Sequence, residues 1–130
     1  MDALNPQAIA ALTALLNDRL DFSSVVREQH AADASYHAPQ LPQAVAYVQT
    51  VDEIAEIARV CTEFHLPIIP FGTGTAVEGG IVAVEGGLCI DLSRLNQILR
   101  VSPTDMDATV EAGVTRIQLN NYLQSENTGL

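Results

Sequence analysis

The chain has 130 residues, 48% of them apolar and 17% charged, which gives room for one modest domain with a real core and excludes a disordered segment. Sixteen acidic residues face six basic ones, all arginine, for a formal charge of -10. Nucleic acid and anionic membrane surfaces reward clustered cations through counterion release, so neither is expected as a partner.

Met1 to Pro6 lacks the features of a secretory leader and is too acidic for a transit peptide, and no apolar run approaches the ~20 residues that span a bilayer. Cys61 and Cys89 sit among apolar neighbours and read as small buried hydrophobes rather than a disulfide. A cytoplasmic location, free or peripheral to the inner membrane, is expected.

Asn5 before Pro6 is a helix start, a side-chain acceptor followed by a pre-set φ, and Ile9, Leu12, Leu15 and Leu16 recur at helical spacing. Periodicity weakens from Leu20 to Leu41, and His30 to Pro42 reads as irregular chain leading into a strand, which places a boundary near Pro42: residues 1–41 a helical lead, residues 42–130 the folded unit. Val45 and Tyr47 then mark a strand. Thr50 and Glu53 form a capping box for a helix whose apolar positions Val51, Ile54, Ala58 and Cys61, with Ile57 and Phe64 alongside, make a stripe for packing on a sheet, up to Pro67. His65, at its end, reads as a partner for the helix dipole.

Leu66–Phe71 reads as a buried strand running into a glycine-rich loop, and Leu88–Leu92 as another. Ile98–Val101 and Ala108–Glu111 flank the turn former Ser102-Pro103-Thr104-Asp105 as a hairpin, and Thr115 with Gln118 caps a last helix to about Ser125. The order is mixed α/β: a small mixed sheet flanked by helices. Asn127 to Leu130 reads as a helix end followed by the start of something further.

The informative segment is Pro70-Phe71-Gly72-Thr73-Gly74-Thr75-Ala76-Val77-Glu78-Gly79-Gly80. Alternating glycine and threonine after a strand turns the backbone sharply and offers successive N–H groups, with the hydroxyls of Thr73 and Thr75, to one concavity. Such a loop can hold a diphosphate without a cation. A Walker loop is excluded because the chain has no lysine. A Rossmann turn fails because Val77 stands at the third glycine position and a strand, not a helix, follows. The loop alone leaves two readings open, a phosphate cradle or a plain glycine-rich connection.

The other candidates are weaker. His30, His37 and His65 have no metal-ligand spacing, Glu78 and Glu85 lie in a repeated AVEGG and read as solvated, and Asp91 reads as a strand-end acceptor.

Between Pro42 and Leu123 the segments QAVAYVQTVDEIAEIARVC, LPIIPFGTGT-AVEGG, GGLCIDLSRLNQIL and ATVEAGVTRIQLN stand in order. Together they resemble the first half of the FAD-binding domain of the vanillyl-alcohol oxidase (PCMH) type. PFGTGT followed by EGG is more similar to the FAD-linked D-lactate dehydrogenase branch than to the glycolate oxidase branch.

The resemblance implies that residues 42–130 are the pyrophosphate-binding half of an FAD domain, with Phe71, Gly72, Thr73, Gly74, Thr75, Ala76, Gly79, Gly80 and Gly113 around the cofactor. Ala76 replaces the glycine usual there. Gly113 also reads as the turn before a helix. No histidine lies between Pro70 and Leu88, so the FAD is expected to be noncovalent.

The function implied is oxidation of a small D-2-hydroxy acid, D-lactate or similar, to the 2-oxo acid. No catalytic residue or metal ligand falls in this chain, because in the family the active-site histidine and substrate cap lie past its end; the chain alone is expected to be inert. A different class of function, a noncatalytic binding module that forms a homodimer through the surface left by a missing half, is the other expectation.

Overall fold

A computed structural model describes residues 4–129. Met1–Ala3 and Leu130, on which the expectations of no leader and of a continuing chain bear, lie outside the described residues.

Helix α1 (Pro6–Leu16) begins as the sequence predicts: the Asn5 side chain accepts a hydrogen bond from the Gln7 amide at 2.8 Å, and Ala8, Leu12 and Leu16 are buried. Residues 30–42, read as irregular, contain no helix or strand, whereas residues 20–29, where the periodicity weakens, are more ordered than expected. After a 3-10 turn, β1 (Leu20–Asp21) pairs antiparallel with β2 (Ala44–Tyr47), and α2 (Ser24–Gln29) is capped by Ser23. A two-residue strand and a six-residue helix are too short to display a period, which is why the sequence hides them.

Helix α3 (Val51–Glu63) is capped by the Thr50 hydroxyl, which accepts from the Glu53 amide at 3.2 Å. The reciprocal half of the box goes elsewhere. The Glu53 carboxylate accepts from the Gln49 amide at 2.8 Å and takes a two-pronged contact from Arg19, at 2.6 and 2.8 Å. That fork ties the turn after α1 to the start of α3.

Of the predicted stripe Ile54, Ile57 and Cys61 pack into the core, joined by Val60, and Val51 is exposed. His65 stands past the end of the helix at φ 51, with its amide bonded to Thr62 O and that of Leu66 to Cys61 O. This is a Schellman closure with histidine at the position where glycine is usual.

Strands β3 (Ile68–Phe71) and β4 (Leu88–Asp91) run parallel, and β4 also runs parallel to β2, giving the order β1-β2-β4-β3. Central β4 is buried throughout, whereas β3 is an edge strand with Ile68 and Pro70 exposed, a correction to its reading as fully buried. Ala44, Ala46, Leu88 and Ile90 face α1 and α3 in the larger core. Val45, Ile69, Phe71 and Cys89 face the other way, onto Ile81 and Ala83 of the β3–β4 connection. One face of the sheet is thus covered by helices and the opposite one largely by a loop.

The predicted hairpin forms, but as a separate two-stranded sheet of β5 (Ile98–Ser102) and β6 (Asp107–Val110). Helix α4 (Arg116–Ser125) follows, capped by Thr115 and with no buried residue; the Gln118 side chain, instead of closing a capping box, donates to Asn96 O at 2.6 Å. Among the described residues no helix is long and apolar enough to cross a membrane.

Candidate functional site

Because β3 and β4 are parallel, the chain leaving β3 at Phe71 must return to the opposite end of the sheet before Leu88, and residues 72–87 make that return without a helix. The return leg is fixed: Ile81, Val82 and Ala83 are buried, and the Val82 amide bonds to Gly79 O at 3.1 Å. The outgoing leg, Gly72–Gly80, sits at the carboxyl ends of the strands, where open α/β sheets place their ligands.

Gly74 at φ 71 and Gly79 at φ 76 occupy the left-handed region, which glycine enters without strain. Among the described residues, no backbone N–H from Gly72 to Glu78 donates a hydrogen bond within the chain. The Thr73 and Thr75 hydroxyls meet at 3.0 Å. A Cβ placed on Gly72 or Gly80 would meet nothing within 4 Å, so both face open space. Ala76 is outside the left-handed region, so its methyl group is unstrained, and its carbonyl accepts from the Ala34 amide at 2.9 Å.

Beneath the loop lies a layer that the sequence did not reveal. The Phe71 ring supports Gly74, where a Cβ would stand 3.1 Å from Phe71 Cζ, and it packs in turn on His30 with ring centroids 4.3 Å apart. His30 is buried. Its Nδ1 donates to Val26 O at 2.8 Å, since a carbonyl can only accept, and its Nε2 meets Asp91 Oδ2 at 2.9 Å. Asp91 Oδ1 accepts from the Ser93 amide at 2.8 Å, so the strand-end acceptor role expected of Asp91 is present with a second partner added. No local pattern could announce a pair separated by 61 positions.

Gly113 joins the same end of the sheet by a different route. A Cβ there would collide with Leu92 O, the Gly113 amide bonds to Leu95 O at 2.7 Å, and the Leu92 amide bonds to Phe71 O at 2.9 Å. The positions singled out in the sequence therefore fall into two groups at one sheet end: the contiguous loop, and Gly113 behind it. Glu78 and Glu85 are exposed.

Cys61 and Cys89 are free, and burial pushes their thiols up to about 11 and about 12, which leaves them packing groups rather than nucleophiles. A shallow depression of about 530 Å³ lined by Cys61, His65 and Glu85 opens beside Pro67, at the start of β3 and away from the loop.

The loop thus offers unengaged amides, hydroxyl groups and open glycine positions, the donor set that a dinucleotide pyrophosphate needs, and the residues present fit FAD. The sequence pattern of the FAD binding domain matches residues 42–130. A probable mitochondrial D-lactate dehydrogenase of Danio rerio is 44% identical over 114 residues, covering 88% of this chain and 22% of that protein. The glycolate oxidase subunit GlcD of Bacillus subtilis (strain 168) is 33% identical over 109 residues, covering 84% of this chain and 23% of its own.

The solved structure of p-cresol methylhydroxylase with substrate bound superposes with a TM-score of 0.77 at 26% identity, over 94% of this chain and 25% of that one. The chain therefore spans under a quarter of the length of the two sequence relatives. It belongs to the FAD-binding domain family of the vanillyl-alcohol oxidase (PCMH) type, whose cofactor is FAD.

Proposed function

We propose that Gly72–Thr75 cradle the FAD pyrophosphate through their amides and the Thr73 and Thr75 hydroxyls, that Gly79 and Gly80 let the loop pass close to the cofactor, and that Phe71, Ala76 and Gly113 shape the surround. The observation that carries this reading is the run of amides from Gly72 to Glu78 with no acceptor in the described chain, next to glycines open to space. Bound FAD supplies an acceptor for the hydride leaving Cα of a 2-hydroxy acid. This chain's part is to bind and orient the cofactor.

Likeness to a probable D-lactate dehydrogenase supports a D-lactate-like substrate for the whole protein, oxidised to the 2-oxo acid, with the present segment inert by itself. Attachment is noncovalent, because no histidine stands in the loop.

Mixing the purified chain with FAD, desalting, recording the flavin absorption and then denaturing with acid tests these points in order. Flavin is expected to be retained, released on denaturation, and not reduced by D-lactate in a dye-coupled assay. Loss of all flavin on desalting overturns the cradle, flavin that stays attached to denatured protein overturns noncovalent binding, and turnover overturns the inert segment.

A second reading, a noncatalytic module that dimerises, draws on Leu99, Met106 and Ile117, which are 61%, 77% and 64% exposed on the hairpin and α4. A chain that sediments as a dimer and retains no flavin would replace the first reading with this one.

A further inference from the structure

The glycine loop is touched from outside the matched family segment. Ala34, Asp33 and His37 belong to the lead, yet all three reach the far arm of the loop, Ala76–Gly79. The Ala34 amide donates to Ala76 O at 2.9 Å. His37 lies so close against Gly79 that a Cβ on that glycine would collide with His37 Cδ2, and Tyr36 stacks on the His37 ring with centroids 4.3 Å apart.

Asp33 closes its own turn, with Oδ1 accepting from the Ser35 amide at 2.9 Å, while its Oδ2 is buried without a hydrogen-bond partner. The Ser35 groups hold the Asp33 carboxyl below its ordinary value, and the Gly79 amide and His37 act in the same direction. A turn braced by its own carboxylate, bonded to the loop through Ala34 and packed on Gly79 through His37, can fix that arm without covering its neighbours.

We propose that the Asp33–His37 turn clamps the Ala76–Gly79 arm of the loop, with Asp33 and His37 as positioning residues that set the loop for its cofactor. The clamp rests on the FAD reading of the loop for its effect on binding, and on the contacts above for its effect on loop order. Its Tyr36 and His37 side chains are exposed, and the turn belongs to neither apolar cluster. Its removal should therefore loosen the loop while leaving the core intact. Fixing a loop before the ligand arrives raises affinity by removing the entropic cost of ordering it on binding.

The test uses Asp33→Ala, Asp33→Asn and His37→Ala in the full 130-residue chain. Three properties are measured: FAD dissociation by flavin fluorescence titration, amide exchange at Ala34 and Val82, and thermal melting without FAD. Asp33→Ala and His37→Ala are expected to weaken FAD about tenfold, which corresponds to about 1.4 kcal/mol, and to speed exchange at both amides with melting little changed. Asp33→Asn keeps an acceptor for the Ser35 amide and should recover most of the affinity.

Wild-type affinity together with wild-type exchange in both alanine variants overturns the clamp while leaving the cradle in place. A parent chain that binds no FAD overturns the cradle, and the exchange rates then decide the clamp alone. If Asp33→Ala fails to fold, His37→Ala, which removes an exposed ring, decides between the two outcomes.

Discussion

The two halves of this chain are built on opposite terms. The four-stranded sheet with α1 and α3 closes a core in which Leu12, Leu16, Val48, Ile57 and Leu88 are fully buried. The β5–β6 hairpin and α4 contain no buried residue, and β6 is exposed along its length. Their position comes from main-chain and polar contacts to residues 95–97: Gly113 to Leu95, Glu111 to Gln97 and Gln118 to Asn96. One half is held by buried area and the other by a seam of hydrogen bonds. The hydrophobic term scales with area removed from water, so a change of the same chemistry should cost very different amounts in the two places.

The widest gap is expected between Leu88→Ala and Leu99→Ala. Leu88 is buried at the centre of β4, and truncation there should cost about 2–5 kcal/mol in urea unfolding, whereas Leu99→Ala should stay within about 0.5 kcal/mol. Equal costs would break the comparison and mean that the hairpin is covered in solution.

Next come the ion pairs. Arg19 and Glu53 are mostly buried and doubly bonded, and the Arg19 guanidinium, with the Gln49 amide adding, holds the Glu53 carboxyl down from 4.5 to about 2. A carboxyl with a depressed folded value contributes stability that is present above its unfolded value and lost as pH falls. Between about pH 4.5 and 2, then, wild-type stability should drop by roughly 2–3 kcal/mol on this account, and Glu53→Gln should remove that dependence while lowering stability at pH 7. The exposed Arg100–Asp107 pair of the hairpin is 53% open on each side, and Asp107→Asn should cost under about 1 kcal/mol at pH 7. Melting curves across pH for the two variants sharpen the contrast.

A more local effect is expected at the seam itself. Gly113→Ala forces a methyl group against the Leu92 and Leu95 carbonyls and should cost about 1–2 kcal/mol by overpacking, read as faster amide exchange in β5 and β6 with the sheet amides unaffected. Spread of the effect into β4 would show that the two halves open as one.

What the sequence disclosed follows from the range of the forces involved. Asn5, Thr50 and Thr115 cap helices through amides two or three residues away, so the pattern and the interaction occupy the same stretch of chain. The glycine and threonine alternation of the loop is equally local, so its turn and its run of unengaged amides lie in the stretch that shows the pattern. The pairing of Leu20 with Ala46, the edge position of β3 and the contact of His30 with Asp91 depend on which distant segments come together, and no window of residues carries that information. The Asp33 turn lies between these cases: Asp-x-Ser is a legible local motif, but its contact with a loop more than forty positions away is not.

The parallel pairing of β4 with both β2 and β3 bears on how the chain is made. Ala44 pairs with Leu88, so the strand that joins the sheet leaves the ribosome forty-four residues after the first strand it must bind. At the usual ~5–20 residues per second of synthesis, β2 waits roughly 2–9 s for β4, and no short hairpin can nucleate the sheet in the meantime. During that interval the nascent chain presents strand edges to chaperones and to other copies of itself.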